Sequence, residues 1–314
     1  MCRHLAYLGP AVTLREAIID PPYGLYRQAW APRMMRNSGT MNVDGFGAGW
    51  YPDDDPIPAR YRHAGPIWAD PSFADLTRVT RSGALLAAVR DATAGTEPSV
   101  SACSPFGADH WLFSHNGALV GWPGTAAGLA ATLSPLELLE LDARVDSALL
   151  WALTLNRLRS GATPDEALAA VIGLLDVAQL SGRFNFLLTD GQMIAATAAG
   201  HSLWYRHTSG TAGGSLTVAS EPTDDDPGWT EVPDRSLLAA TTANVAVRPL
   251  EVPAEVTADT AERVRCATFP HGMAAAFPHG MAAAFPHEVK ASHTPNFPHE
   301  AAASDTPNGR NPGR

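Results

Sequence analysis

Cysteine is scarce in this sequence, which contains Cys2, Cys103 and Cys266 among its 314 residues. A small, odd number of cysteines does not suit a disulfide framework and favours a reducing compartment, so we expect a cytoplasmic protein. The CxxC and HExxH spacings that hold zinc are also absent. We therefore expect no structural zinc site.

Long apolar runs and clusters of basic residues are lacking as well. No stretch approaches the roughly 20 apolar residues that cross a bilayer, so no membrane-spanning helix is expected. The formal net charge is −10, and a chain this acidic without a basic segment is not expected to bind nucleic acid. Apolar residues make up 45% of the chain, which is enough for one large core or two small ones.

The most informative stretch that is present is the N-terminal Met1-Cys2-Arg3-His4. Because cysteine is small, removal of Met1 is expected, and it leaves Cys2 with a thiol and a free α-amine. Their reference pKa values are about 8.5 and about 7.7–8.0, so the amine can take the proton of the thiol, directly or through one water. Cys2 is thus a candidate nucleophile with its own base. The alternative is that Cys2 merely begins a strand.

Strands are predicted on both sides of the middle of the chain. The first covers residues 2–8 and is ended by Gly9-Pro10, and another covers 111–115 and is ended by Asn116-Gly117. A strand between them, over 85–89, ends at Arg90. Short strands from residue 183 onwards have the pattern of a meander with one wet face.

Helix start signals mark the remaining elements. Capping boxes begin at Thr13 and Ser134, and Asp70-Pro71 begins a helix to about residue 82. Asp146 is predicted to cap a helix over 147–159, and Thr163-Pro164-Asp165-Glu166 begins the next helix, to about residue 180. Strands and helices are therefore segregated along the chain instead of alternating. This order predicts an α+β domain with antiparallel sheets.

The C-terminal part differs in composition from the rest. Phe-Pro-His recurs at residues 269, 277, 285 and 297 within a segment rich in alanine, proline and histidine. Such low-complexity sequence is not expected to pack. We predict a folded domain over residues 2–253 and a disordered tail over 254–314.

Four candidates lie where a predicted strand or helix begins or ends: Cys2, Arg90, Asn116-Gly117 and Asp146. We therefore expect their side chains to reach a shared cleft. Hydrolysis of a γ-glutamyl amide needs a nucleophile, for which Cys2 is the candidate, and fixed donors for the oxyanion, which Asn116 and the Gly117 N–H can supply. Arg90 suits the glutamyl α-carboxylate and Asp146 its ammonium. Each feature also has a structural interpretation: a turn dipeptide for Asn116-Gly117, a surface residue for Arg90 and a helix cap for Asp146.

The segments that carry these residues resemble the class II glutamine amidotransferase domains, a family of N-terminal-nucleophile hydrolases. The matching segments are MCRHL at the start, AAVRDATAG at 87–95, FSHNG at 113–117 and RVDSAL at 144–149. The resemblance implies a four-layer αββα sandwich of two antiparallel sheets, with no metal or organic cofactor. It also implies site roles: Cys2 as nucleophile with its α-amine as base, Asn116 and Gly117 as oxyanion hole, and Arg90, Thr93 and Asp146 as glutamyl-binding residues.

Three further stretches, at 20–33, 41–51 and 219–237, resemble a stand-alone branch of this family that acts in bacterial ergothioneine biosynthesis. This resemblance implies a small-molecule substrate, γ-glutamyl-hercynylcysteine S-oxide, which is cleaved to glutamate and hercynylcysteine S-oxide. For the trimethylammonium of the hercynyl group, the candidate contacts are Trp50, Tyr51, Trp68 and the acidic run 224–226. Two alternatives remain open: a glutaminase subunit that supplies ammonia to a separate synthase, and a non-catalytic binding domain of the same fold.

Overall fold

Two antiparallel sheets form the centre of the protein in a computed structural model that describes residues 2–34, 41–92, 99–209 and 213–251. The seven-stranded sheet has the order β11-β9-β10-β1-β4-β2-β3, and the six-stranded sheet has the order β13-β12-β8-β7-β6-β5. The strands are β1 Arg3–Thr13, β2 Gly45–Trp50, β3 Ala59–His63, β4 Arg81–Arg90, β5 Phe106–Ala108, β6 Trp111–Leu119, β7 Gly182–Thr189, β8 Ile194–Ala198, β9 Trp204–Thr208, β10 Ser215–Ala219, β11 Thr230–Glu231, β12 Ser236–Ala240 and β13 Val245–Pro249.

Helices flank the outer faces of both sheets. They are α1 Leu14–Ile18, α2 Leu25–Gln28, α3 Pro71–Val79, α4 Ala127–Ala130, α5 Pro135–Leu139, α6 Asp146–Arg159 and α7 Pro164–Val177. The capping boxes predicted at Thr13 and Ser134 are present, and the helix predicted to start at Thr163 also begins with a capping box. The Asp70 carboxylate accepts a hydrogen bond from Phe73 N at the start of α3. Within the described residues, no helix has the length and apolarity to cross a membrane.

Three apolar cores separate four layers. Between the sheets, Leu8 and Leu86 of one sheet pack with Leu187 and Ala196 of the other. Outside the six-stranded sheet, side chains of α6 and α7 cover its apolar face. Outside the seven-stranded sheet, α1, α2 and α3 do the same. The predicted αββα sandwich is therefore confirmed.

Glycines of β2 allow close contact of this strand with β6 and with the segment that precedes β5. A Cβ at Gly47 would lie 2.5 Å from Ser104 O, and one at Gly49 would lie 2.7 Å from Leu112 Cδ1. At Gly45, a Cβ would overlap the sulfur of Cys103. The segment that precedes β5 thus packs directly onto this strand, as the glycine-dense sequence indicates.

Several predicted boundaries are wrong, and each error has a non-local cause. β1 continues through Gly9-Pro10 to Thr13, because a register shift between Leu8 and Val12 accommodates the proline that lacks an N–H. Asn116-Gly117 lies inside β6 and does not end it, since pairing with β7 extends from Leu112 to Leu119.

Two further differences concern the rest of the chain. The helix predicted to reach about residue 82 ends at Val79, and Arg81 begins β4. The C-terminal strands do not form one meander, because β9, β10 and β11 join the first sheet whereas β7, β8, β12 and β13 join the second. The proposed boundary at residue 253 and the tail over 254–314 lie outside the described residues and stay predictions.

Candidate active site

Cys2 and Arg90 lie side by side at one end of the seven-stranded sheet. Arg3 pairs with Val89 in the β1–β4 ladder, so Cys2 precedes β1 next to the last residue of β4. Cys2 is half-buried as a residue, and its thiol donates to Asp91 O with an Sγ–O distance of 3.7 Å. Arg90 is only 8% exposed, and its Nη1 donates to Asp44 O at 3.3 Å.

Asn116 and Gly117 come from the other sheet, near the end of β6. Asn116 is fully buried, and its Oδ1 has no hydrogen-bond partner among the described residues. Buried polar atoms without a partner are rare in native proteins and are frequent at functional sites. At Gly117, a Cβ would overlap Arg183 O of the adjacent strand β7, so only glycine fits at this position.

Ser220, which sequence reasoning did not single out, joins the two sheets at this point. Its Oγ accepts from His4 N at 3.0 Å and from Asn116 Nδ2 at 3.3 Å. His4 lies two residues after Cys2, so this hydroxyl links β1 to β6. Ser220 falls inside the stretch 219–237 that carried the family resemblance, but one polar residue in that stretch gave no signal of its own.

Asp146 joins α6 to β6 instead of capping the helix. The N-cap residue is Val145, and Asp146 is the first helical residue, so the predicted cap is wrong. Its Oδ2 accepts from Leu119 N and its Oδ1 from Ser147 N, both at 2.8 Å. The predicted helix is present, but the Asp146 carboxylate is directed to β6, where it is the acceptor for Leu119 N–H.

His115 adds a second connection between these two elements. Its Nε2 lies 2.9 Å from Arg183 O and its Nδ1 lies 3.0 Å from Ser147 Oγ. Because burial lowers the pKa of His115, the ring is neutral near pH 7, and a carbonyl can only accept. The proton therefore sits on Nε2, and Ser147 donates to Nδ1.

Charges near Cys2 act on its thiol in opposite directions. Burial raises the pKa of the Cys2 thiol, the Arg90 guanidinium lowers it and the Asp146 carboxylate raises it. The raised pKa keeps the resting group a thiol at neutral pH, so an attack by sulfur needs a base.

Arg3 and Glu221, which follow Cys2 and Ser220, both hold the backbone near Met34. Arg3 is fully buried, and its Nη2 donates to Met34 O at 3.0 Å. Burial lowers the pKa of Arg3, and the Glu221 carboxylate partly opposes this by raising it. The Glu221 carboxylate also accepts from Arg33 N and Met34 N, at 2.9 and 2.7 Å.

The remaining candidates have different surroundings, and Trp50 is partly buried against the core outside the seven-stranded sheet. Thr93 lies outside the described residues, so its assignment stays a prediction. Tyr51 is buried in the core between the sheets, where its hydroxyl donates to His110 O or Thr189 O. Trp68 is 37% exposed and packs edge-to-face on Trp30.

The acidic run 224–226 is not an unpaired cluster. Arg206 forms ion pairs with Asp224 and Asp226 at 2.7 and 3.5 Å, and Arg33 pairs with Asp225 at 3.0 Å. These ion pairs compensate much of the negative charge that suggested a cation site.

The chain is similar to several known proteins. The family model for class II glutamine amidotransferases matches residues 28–210. A γ-glutamyl-hercynylcysteine sulfoxide hydrolase of Mycolicibacterium smegmatis is 39% identical over 250 residues, which cover 80% of this chain and 100% of that protein. A hydrolase with the same name from Mycobacterium tuberculosis is 39% identical over 252 residues, covering 80% and 97%.

Solved structures share the sandwich. A class II domain protein from Silicibacter pomeroyi superposes with a TM-score of 0.57 at 25% identity, covering 79% of this chain and 99% of that one. Glutamine phosphoribosylpyrophosphate amidotransferase from Bacillus subtilis gives a TM-score of 0.56 at 18% identity, covering 80% and 50%. The second likeness concerns the fold alone. Taken with the matched segment and the full-length relatives, these results show that the chain belongs to the class II glutamine amidotransferase family.

Proposed function

We propose that this protein is a γ-glutamyl amidohydrolase that cleaves γ-glutamyl-hercynylcysteine S-oxide into glutamate and hercynylcysteine S-oxide. The observation that carries the proposal is the 39% identity to a hydrolase with this substrate in its name, over that protein's whole length. The grouping of Cys2, Arg90, Asn116 and Asp146 around the ends of β1, β4 and β6 supports it, because each has the chemistry that one step requires.

The glutamyl end of the substrate is bound by two opposite charges. The guanidinium of Arg90 pairs with the α-carboxylate, for which its planar, two-pronged geometry is suited. The carboxylate of Asp146 accepts from the α-ammonium. These contacts hold the γ-carbonyl beside the sulfur of Cys2. Because the reacting groups are already positioned in the complex, the entropic part of the activation barrier is lowered.

Attack begins when the free α-amine of Cys2 takes the thiol proton as the Sγ–carbon bond forms. The raised pKa of the thiol makes this base necessary. The carbonyl oxygen becomes an oxyanion, which accepts hydrogen bonds from the Asn116 carboxamide and the Gly117 N–H. Each such donor contributes about 2.7–4 kcal/mol of transition-state stabilisation in related chemistry.

Collapse of the tetrahedral intermediate breaks the carbon–nitrogen bond. The Cys2 ammonium gives its proton to the leaving amine, which departs as hercynylcysteine S-oxide, and a γ-glutamyl thioester remains on Cys2. The regenerated α-amine then takes a proton from water as the water oxygen attacks the thioester. Glutamate leaves, and the sulfur is reprotonated.

The same proposal covers the surroundings of the reaction. The substrate is a small molecule, and a chain with net charge −10 is not expected to bind nucleic acid. Three cysteines in 314 residues favour a reducing compartment, so we expect the reaction in the cytoplasm.

Turnover by the purified chain tests the proposal. We expect hydrolysis of γ-glutamyl-hercynylcysteine S-oxide, loss of Met1 by mass spectrometry and modification of Cys2 by a glutamine-analogue diazoketone. Cys2→Ala should abolish activity, and Cys103→Ala, which changes the other described cysteine, should keep kcat within about threefold. Efficient turnover of free glutamine instead would indicate a glutaminase subunit, and activity with Met1 retained would contradict the mechanism.

A further inference from the structure

The hydroxyl of Ser220 lies where β1, the strand that follows Cys2, meets Asn116 of the other sheet. Ser220 directly follows β10, and it is fully buried. Its backbone N–H donates to His4 O at 3.0 Å, which extends the β1–β10 ladder. Its Oγ therefore sits at a fixed place, between the backbone of β1 and the side chain of Asn116.

The hydrogen bonds of this hydroxyl use its full capacity. Oγ accepts from His4 N at 3.0 Å and from Asn116 Nδ2 at 3.3 Å, and it donates to His4 O at 3.3 Å. A hydroxyl has one proton to donate and two lone pairs to accept with. The proton and both lone pairs are engaged, so the lone pair that accepts from Asn116 points in a fixed direction.

This contact also fixes the direction of the asparagine amide. A carboxamide is planar and carries two N–H groups on Nδ2. With one of them held by Ser220, the plane of the amide and the direction of the second N–H are determined. A donor whose direction is set before the reaction stabilises an oxyanion without reorganisation.

We infer that Ser220 is a positioning residue, which orients the Asn116 carboxamide toward the oxyanion and keeps it in register with the strand that begins at Cys2. The inference rests on the proposed function, because it assigns Ser220 a part in the same reaction. Ser220 does not touch the substrate in this mechanism, and it acts through Asn116. Its loss should therefore affect the transition state more than substrate binding.

The test compares Ser220→Ala with Ser114→Ala. Both variants remove a buried hydroxyl bonded to His4, since Ser114 Oγ lies 3.3 Å from His4 Nδ1, whereas the Ser220 hydroxyl also bonds Asn116. With γ-glutamyl-hercynylcysteine S-oxide, Ser220→Ala should lower kcat roughly tenfold to hundredfold and change KM by less than about threefold. Ser114→Ala should keep both constants within about threefold of wild type.

A double-mutant cycle separates action through Asn116 from action through the fold. In an Asn116→Ala background, Ser220→Ala should lower kcat by no more than about twofold, because the group that it orients is gone. A full effect in that background overturns the inference, and so does Ser220→Ala with wild-type kcat. If Ser220→Ala does not fold, Ser220→Cys, which fills the same space with a poor acceptor, replaces it in both arms.

These results are distinguishable from a failure of the proposed function. A wild-type protein that does not hydrolyse any γ-glutamyl amide contradicts the proposed function itself. A wild-type protein that is active, together with an unimpaired Ser220→Ala variant, contradicts only the role of Ser220.

Discussion

The Oδ2 atom of Asp146 accepts a hydrogen bond from the backbone N–H of Leu119 at 2.8 Å. The first residue of α6 is thereby joined to the strand that carries Asn116 and Gly117. In the proposed mechanism, the same carboxylate pairs with the α-ammonium of the substrate. One side chain thus has a structural contact and a binding contact, and substitutions can separate the two.

Asp146→Asn should weaken substrate binding and cost less stability than Asp146→Ala. The amide oxygen can still accept from Leu119 N–H, although the amide nitrogen then faces Ser147 N–H. The substitution also removes the charge that attracts the ammonium. Charged hydrogen bonds contribute about 1.5–3 kcal/mol, so KM should rise roughly tenfold to hundredfold. Steady-state kinetics measures the change, and an unaltered KM contradicts the role of Asp146 in binding.

Asp146→Ala should in addition destabilise the protein. It leaves the buried N–H of Leu119 without its acceptor, which costs about 1–3 kcal/mol. Urea unfolding of the two variants measures the difference. Asp109→Asn is the control, because Asp109 pairs with Arg159 while both side chains are about half exposed, and such pairs contribute about 0–1 kcal/mol.

Gly117→Ala should reduce both stability and activity. The added methyl would overlap Arg183 O on β7, so β6 and β7 must separate where Asn116 is held. We expect a loss of about 1–3 kcal/mol in unfolding free energy and a drop in kcat, measured on the same preparation. Gly124→Ala is the control, since a Cβ there has no neighbour within 4 Å among the described residues, and it should be nearly silent.

Acid should destabilise the protein through its buried histidines. Burial, together with Arg183, lowers the pKa of His201 to about 3, whereas the unfolded value is about 6.5. The folded state therefore binds fewer protons, and this contribution to stability is present above pH 6.5 and is lost as the pH falls towards 3. At pH 5 the loss from His201 alone is about 2 kcal/mol.

Unfolding free energies at pH 7.5 and pH 5 test this dependence. His201→Gln keeps an acceptor for Arg183 Nε, which lies 2.9 Å from His201 Nε2, but it does not titrate. The variant should therefore lose less stability than wild type between the two pH values. His110→Gln, at an exposed position, should lose as much as wild type, and equal slopes for all three proteins would exclude His201 as a source.

Glu221→Gln should destabilise the backbone around Met34. The carboxylate of the buried Glu221 accepts from Arg33 N and Met34 N, and the amide nitrogen of glutamine would face one of these N–H groups. Leaving a buried N–H without its acceptor costs about 1–3 kcal/mol. Thermal unfolding should show the effect, with Asp225→Asn as the matched control, because its pair with Arg33 is exposed.

Local sequence signals predicted the elements that depend on neighbouring residues. The capping boxes at Thr13, Ser134 and Thr163 involve side chains three residues apart, so their starts are encoded within one turn. The segregation of helices from strands likewise gave the fold class. Composition and order were sufficient for these features.

Contacts between distant parts of the chain account for what was missed. Pairing with β7 keeps Asn116-Gly117 inside a strand, although the dipeptide is typical of turns. Ser220 meets its partners His4 and Asn116 across 216 and 104 residues of sequence. A serine with such partners has no local signature, so only the assembled sandwich identifies it.

β1, which follows Cys2, and Arg90 belong to one sheet, whereas Asn116 and Gly117 belong to the other. Apolar side chains fill the space between the sheets. In the proposed mechanism, the catalytic rate therefore depends on how the two sheets are positioned relative to each other. Substitutions that create cavities in this core should therefore lower the catalytic rate, although they lie far from the substrate. Stabilising substitutions should therefore be sought first in the outer helical layers, and the core between the sheets should be left unchanged.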